Sequence, residues 1–82
     1  MRNRRKQAVL SFLFGRGRPA TAAEIAWGVR LPYASGGLYR LLLNYQHWGL
    51  VLRSQAADGR FVYRIGPRGV GRLAWLRRRR AA

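Results

Sequence analysis

The sequence has no cysteine and only two acidic residues, Glu24 and Asp58, among its 82 residues. Without cysteine there is no disulfide framework, zinc knuckle or thiol chemistry. The two carboxylates and the single histidine, His47, lie in three separate parts of the sequence. Paired carboxylates, a serine–histidine–aspartate relay and a histidine–carboxylate metal cluster are therefore hard to assemble. We expect no enzyme activity, no metal site and no cofactor.

The sequence also lacks a long apolar run. The segment from Ala8 to Phe14 is only about seven residues long and is followed by further basic residues, which argues against a signal peptide. No stretch approaches the roughly 20 apolar residues that span a bilayer. We expect a cytoplasmic, nucleoid-associated protein that does not bind membranes.

What the chain has in excess is positive charge. Lysine and arginine total 17, and the formal net charge is +15. Because 49% of the residues are hydrophobic, the chain is not a disordered basic tail. A chain of this length predicts one domain over 1–82, with a basic arm at 1–6 and a basic end at 77–82. Its natural partner is a polyanion.

Three helices are predicted in the first half of the chain. The first extends from about Arg4 to Phe14, where apolar residues recur four apart and Gly15 ends the helix. The second opens at Thr21, which with Glu24 has the form of a capping box, and ends before Pro32.

The third helix begins near Ala34 or Ser35 and continues to Trp48. One face carries Leu38, Leu42 and Tyr45 at helical spacing, which predicts that this face is buried. The opposite face carries the residues Tyr39, Arg40, Leu43, Asn44 and His47.

After Gly49 the period changes from helical to alternating. Two alternating segments, at 50–55 and 60–65, flank Asp58-Gly59, which predicts a β-hairpin. In the second segment we expect Phe61, Tyr63 and Ile65 to face inward. Pro67 then opens a last helix, whose buried side is predicted to include Val70, Leu73 and Ala74, with Trp75 or Leu76 beside them.

In four places the sequence resembles the PadR-like transcriptional regulators and, more distantly, the MarR and ArsR families. These are Thr21-Ala-Ala-Glu-Ile-Ala26, Gly36-Gly-Leu-Tyr-Arg-Leu-Leu42, Trp48-Gly-Leu-Val51 and Tyr63-Arg-Ile-Gly-Pro-Arg-Gly69. The resemblance implies an α+β, mostly α, winged helix-turn-helix fold with three helices, a two-stranded hairpin wing and a C-terminal helix. The chain departs from the family pattern at Gly37, Leu43, Asn44 and Gly66, where such proteins have Thr, two basic residues and Thr.

This resemblance implies a sequence-specific, double-stranded DNA-binding transcription regulator. For so short a domain we expect a repressor and not an activator. The third helix would lie in the major groove, and the base edges would meet Ser35, Tyr39, Arg40 and Asn44. Arginine can bind guanine and asparagine can bind adenine through two hydrogen bonds. Arg40 could instead contact only phosphate, and Leu43 could touch a thymine methyl group or belong to a protein interface.

Basic residues outside that helix are predicted to contact the DNA backbone. Arg60 lies beside the hairpin tip, where it would enter the minor groove, and Arg53 and Arg64 would follow the phosphates. The same role is predicted for residues ahead of the second helix and in the arm: Arg16, Arg18, Arg2, Arg4, Arg5 and Lys6.

The sequence leaves two alternative functions open. The chain could be an architectural protein that coats DNA through charge alone, or an RNA-binding winged helix. We expect a homodimer and find no sign of a small-molecule ligand. A tryptophan on a small helix is most often in the core, but Trp27 lies off the apolar stripe of its helix and could serve a dimer interface.

Overall fold

The computed structural model describes residues 2–30 and 37–81, with side chains described within 4–30 and 37–79. Ser35 and the predicted turn at 31–33 lie outside the described residues. In the described part the chain forms four helices and three strands: α1 Arg2–Arg16, β1 Ala20–Thr21, α2 Ala22–Val29, α3 Gly37–His47, β2 Val51–Gln55, β3 Phe61–Ile65 and α4 Pro67–Ala81. The predicted α+β class and the order of helices and hairpin are confirmed.

Helix α1 is longer at both ends than the sequence predicts. It begins at Arg2, so the residues predicted as a basic arm form its first turns. Arginine and lysine are good helix formers, and nothing in this segment breaks the helix. At the other end Gly15 lies inside the helix, and Gly17 is the left-handed residue, with φ 70° and its N–H donating to the carbonyl of Leu13 at 3.3 Å.

Helix α2 begins at the capping box predicted from the sequence. The backbone N–H of Glu24 donates to Thr21 Oγ1 at 3.2 Å, and the N–H of Thr21 donates to Glu24 Oε1 at 2.9 Å. The helix ends at Val29, because Arg30 adopts the left-handed conformation with φ 59° and donates to the carbonyl of Ala26. The left-handed Arg30, and not Pro32, therefore ends helix α2.

The hairpin is part of a sheet of three strands in the described residues, whereas the sequence predicted two. Strand β1 pairs antiparallel with β3, which also pairs with β2, so the order is β1-β3-β2. Thr21 lies opposite Val62 and Ala20 opposite Tyr63. Thr21 thus belongs to the sheet and also caps α2.

The core is formed by one narrow stripe from each helix and by the inner face of the sheet. Leu38, Leu42 and Tyr45 of α3 are buried as predicted. In α4 Leu73 and Leu76 are buried, but Val70 is 41% exposed and Ala74 is also exposed, contrary to the prediction. Among the described residues, the largest fully buried side chains are Val9, Leu10, Leu13, Ile25, Leu42, Val51 and Leu73.

The end of the hairpin next to α3 and α4 is packed backbone against backbone. We call Gly49, Leu50, Gly66 and Gly69 the hairpin base. The N–H of Gly66 donates to the carbonyl of Leu50 at 2.8 Å. A Cβ atom at Gly69 would collide with that same carbonyl oxygen. Glycine at these positions lets the first turn of α4 rest directly on the turn between α3 and β2.

Candidate nucleic-acid interface

The exposed face of α3 is cationic and polar and contains no acidic residue. The structure places Tyr39, Arg40 and Asn44 on this face, together with Leu43, which is 60% exposed. The opposite side of the helix is fixed in the core, where burial raises the pKa of Tyr45 to about 12. Because its buried side is fixed, α3 presents a defined set of side chains outward.

A groove connects this face with the hairpin tip. It has a volume of about 330 Å³ and is lined by residues from four elements and the hairpin turn: Thr21, Ala22, Ala23, Tyr39, Gly59, Arg60, Phe61 and Tyr63. We call it the α3–hairpin groove. It brings together two predicted DNA contacts, Tyr39 and Arg60, which are distant in the sequence.

At the hairpin tip, Arg60 is bound to the acidic residue of the turn. Its Nε donates to Asp58 Oδ2 at 2.8 Å, and its backbone N–H donates to Asp58 Oδ1 at 3.0 Å. These hydrogen bonds, the backbone one first, hold the pKa of Asp58 below its usual value. The guanidinium predicted to enter the minor groove is therefore oriented by, and partly compensated by, a carboxylate.

Arg53 and Arg64 lie on opposite faces of the hairpin. Arg53 lies opposite Tyr63, and Arg64 lies opposite Leu52, so the two-residue period of a strand separates their side chains. The two predicted phosphate contacts therefore point away from each other, one on each face of the hairpin.

Phe61 is 48% exposed, although the alternation predicted that it faces the core. It lies two residues from the buried Tyr63 and therefore on the same face of β3, but at the end of the strand next to the turn, where the side chains of Gln55 and Arg60 are also exposed. The guanidinium of Arg53 lies over its ring at 4.3 Å from the centroid. Phe61 thus restrains an arginine without neutralising its charge.

The basic residues ahead of α2 differ in their surroundings. Arg16 donates through Nη2 to Glu24 Oε2 at 2.9 Å, and its side chain is only 20% exposed. The pKa of Glu24 is lowered chiefly by the backbone N–H of Thr21 and then by Arg16. Arg18 is exposed. Arg16 and Arg18 are both predicted to contact the DNA backbone, and Arg18 has the more accessible side chain.

Arg4, Arg5 and Lys6 project from α1 instead of forming an extended arm. Arg4 and Arg5 are exposed, while Lys6 Nζ lies 5.2 Å from the centroid of the Trp48 ring. Arg2 is in the same helix, and its side chain is not among those described. Lys6 is thereby directed toward the turn that follows α3.

Some residues with a potential role were not singled out from the sequence. Phe61 was assigned to the core, and Arg68 and Arg72, which line a second pocket beside Trp48, had no role. In the observed register Phe61 lies diagonally across from Arg53, and the hairpin signal at Asp58-Gly59 does not by itself fix that register. The pocket residues come together only through tertiary packing.

Trp27 is 88% exposed, as its position off the apolar stripe of α2 indicated.

In the described residues, no helix is long and apolar enough to cross a membrane. The same part of the chain contains no group of three or more histidine, cysteine or acidic residues that could hold a metal ion.

Comparison with known proteins identifies the fold. No protein-family model and no curated protein matches the sequence. Among solved structures, MepR, a transcription regulator of the Staphylococcus aureus multidrug efflux pump MepA, matches with TM-score 0.76 and 18% identity over 88% of this chain and 53% of its own. A MarR-family transcriptional regulator from Silicibacter pomeroyi gives TM-score 0.77 and 19% identity, over 88% and 47% of the two chains.

ZitR from Lactococcus lactis also matches, with TM-score 0.69 and 18% identity over 85% of this chain and 47% of its own. The chain thus spans about half the length of the solved proteins that it matches. The predicted winged helix-turn-helix fold is confirmed.

Proposed function

We propose that the chain is a sequence-specific, double-stranded DNA-binding transcription regulator that acts as a repressor. The observation that carries this proposal is the acid-free exposed face of α3, which continues through the α3–hairpin groove to the arginines of the hairpin. One continuous surface thus offers a helix for base edges and cations for phosphates.

The dimensions of α3 suit the major groove. Its residues Gly37–His47 span about 16 Å as an α-helix, and an α-helix fits a major groove about 12 Å wide. Arg40 and Asn44 are one turn apart on the exposed face. Arg40 is suited to bind guanine and Asn44 adenine, and the exposed Leu43 between them can contact a thymine methyl group.

The hairpin completes the proposed interface. Arg60 reaches the minor groove from the tip, while Arg53 and Arg64 contact phosphates on either side of the hairpin. Arg18, Arg4 and Arg5 add contacts to the backbone, and Arg16 contributes less because Glu24 binds it.

The solved relatives support this proposal. A MepR variant has been crystallised with an oligodeoxyribonucleotide, so a protein of this fold binds DNA. We propose that this chain binds as a homodimer to half-sites about one helical turn apart. The solved structures support a regulator of the MarR type, and from the four motifs we propose a PadR-like regulator.

The test is the Arg40→Ala variant on a duplex selected from a random pool. We expect a loss of about 1–3 kcal/mol on the selected duplex and a smaller loss on random duplex, because one base-specific pair is removed. Arg78→Ala, on the exposed side of α4, is the charge-matched control and should weaken the two duplexes alike. Equal losses on both duplexes for Arg40→Ala would contradict base reading by α3.

A second candidate function is architectural coating of DNA, which the net charge of +15 favours. In that case counterion release provides nearly all of the affinity, so selected and random duplex bind equally at every salt concentration. A regulator instead prefers its selected duplex by roughly a thousandfold or more.

A further inference from the structure

A second pocket lies at the foot of the hairpin, between α1, the turn after α3 and the beginning of α4. It has a volume of about 440 Å³ and is lined by Lys6, His47, Trp48, Leu50, Arg68 and Arg72. We call it the base pocket. Neither acidic side chain of the sequence lines this pocket. Glu24 is bound to Arg16, and Asp58 is bound to Arg60.

The arrangement of the cations in the base pocket is unfavourable for the stability of the folded protein. Arg68 and Arg72 are four residues apart on α4, where like charges repel. Arg68 also lies in the first turn, at the positive end of the helix dipole. The pKa of Lys6 is lowered by partial burial and then by the charge of Arg72. An anion in the pocket would offset the repulsion among these cations and between Arg68 and the helix dipole.

Neighbouring groups hold these side chains in place. Arg68 lies against Gly49, where an added Cβ would come within 3.1 Å of Arg68 Cδ. Lys6 Nζ is 5.2 Å from the centroid of the Trp48 ring, and the guanidinium of Arg72 is 5.3 Å from that of Trp75. The charges are therefore positioned without a carboxylate partner, which reduces the entropy that binding would otherwise lose.

The base pocket is separate from the α3–hairpin groove. Tyr39 lines the groove and His47 lines the pocket, so about 12 Å of α3 lies between them. Along the hairpin, the groove is at the tip and the pocket is at the base, and strand β2 spans about 16 Å between these ends. A ligand in the pocket would thus leave the proposed reading surface open.

We propose that the base pocket binds a phosphate group through Arg68, Arg72 and Lys6, with Trp48 as its apolar wall. Guanidinium groups pair with phosphate oxygens through two parallel hydrogen bonds, and lysine adds a point charge. The phosphate can come from a free phosphate ion or from the backbone of bound DNA. This site goes beyond the proposed function and was not foreseen from the sequence, which gave no sign of a small ligand.

The test uses Trp48 as a fluorescent reporter in the free protein. Trp27→Phe and Trp75→Phe remove the other two tryptophans and keep an aromatic ring beside Arg72. Inorganic phosphate should change the Trp48 signal and reach saturation, whereas chloride at equal ionic strength should not. Arg68→Gln and Arg72→Gln should weaken phosphate binding at least tenfold, and Arg68→Lys should weaken it less.

Arg78→Gln is the matched control, because Arg78 is exposed on the same helix and does not line the pocket. It should leave phosphate binding unchanged. All of these substitutions are at exposed positions, and urea unfolding of each variant checks that the fold is retained. A response that never saturates, or that is equal in Arg68→Gln and Arg78→Gln, would overturn the proposal.

A DNA titration at low phosphate concentration then distinguishes the two sources. If a DNA phosphate occupies the pocket, Arg68→Gln lowers DNA affinity and reduces the salt slope by about one, and free phosphate competes with DNA. If the source is free phosphate, Arg68→Gln lowers DNA affinity no more than the control Arg78→Gln does, and free phosphate does not compete with DNA. Because phosphate binding is measured without DNA, its failure would leave the proposed regulator function untouched.

Discussion

The two ends of the β2–β3 hairpin are built in opposite ways. At the tip, Gly59 has open space around its Cα, Phe61 is half exposed, and the charge of Arg60 is balanced by Asp58. At the hairpin base, glycines press against the backbone of Leu50, and in the described part of the chain no acidic side chain lines the pocket beside the nearby arginines. The tip therefore combines loose packing with balanced charge, and the base combines tight packing with unbalanced charge.

This difference suggests a division of work. A loosely packed tip can adjust to the width of a minor groove, since few contacts must change when it moves. A tightly packed base fixes the directions of α3 and α4. It can carry uncompensated cations because packing, and not charge, holds it together.

The largest expected effect comes from filling the base. Gly69→Ala places a Cβ atom against the carbonyl oxygen of Leu50, which cannot move without disturbing the turn after α3. We expect a loss of about 3 kcal/mol in the free energy of unfolding, measured by urea denaturation.

The matched control for this variant is Gly71→Ala, two residues further along α4, where an added Cβ meets nothing within 4 Å. Alanine is the better helix former, so this variant should gain about 1 kcal/mol. Equal stabilities for the two variants would show that the base is not tightly packed.

An intermediate effect is expected from Asp58→Asn at the tip. The asparagine oxygen can still accept the hydrogen bond from the Arg60 backbone, but the charge of Arg60 is no longer balanced. DNA affinity should rise at low salt, and the salt slope should steepen by about one. Fluorescence anisotropy at several salt concentrations measures both. An unchanged slope would mean that the tip does not contact phosphate.

The smallest effect is a pH dependence that appears at the tip and not at the hairpin base. Because the folded-state pKa of Asp58 is lowered, its stabilising contacts are complete above the ordinary value of 3.8 and are lost as the pH falls through the lower folded value. As the pH is lowered through the range in which Asp58 takes up its proton, amide exchange of Arg60 should therefore accelerate relative to that of Gly66.

Asp58→Asn removes the titrating group and serves as the control for this experiment. It should abolish the difference between the two amides. A parallel change at Gly66, measured by NMR, would show that the base responds to acid as well.

Much of the fold could be predicted because its signals are local. The capping box of Thr21 and Glu24 is defined by residues three apart, and the buried side of α3 follows from spacing within one helix. The burial of α4 was predicted less well. Its stripe of Leu73 and Leu76 is narrower than the pattern suggested, since α1 covers only one side of the helix.

The remaining features depend on distances that no local pattern contains. Alternation assigned Phe61 to the correct face of β3 but not to a part of the hairpin that extends beyond the core. Strand β1 has two residues, which is too short for an alternating pattern to be detected. The base pocket joins residues from both ends of the chain, Lys6 and Arg72, and sequence spacing gives no measure of their separation.

The pairing of β1 with β3 couples the hairpin to the start of α2. Thr21 is hydrogen-bonded into the cap of α2 and lies opposite Val62 in the sheet, so one residue joins strand β3 to that helix. A tilt of the paired strands should therefore shift the start of α2 with it, whereas the turn at 56–60 can move alone. If DNA binds as proposed, the angle of approach should then depend on the shape of the DNA as well as on its bases.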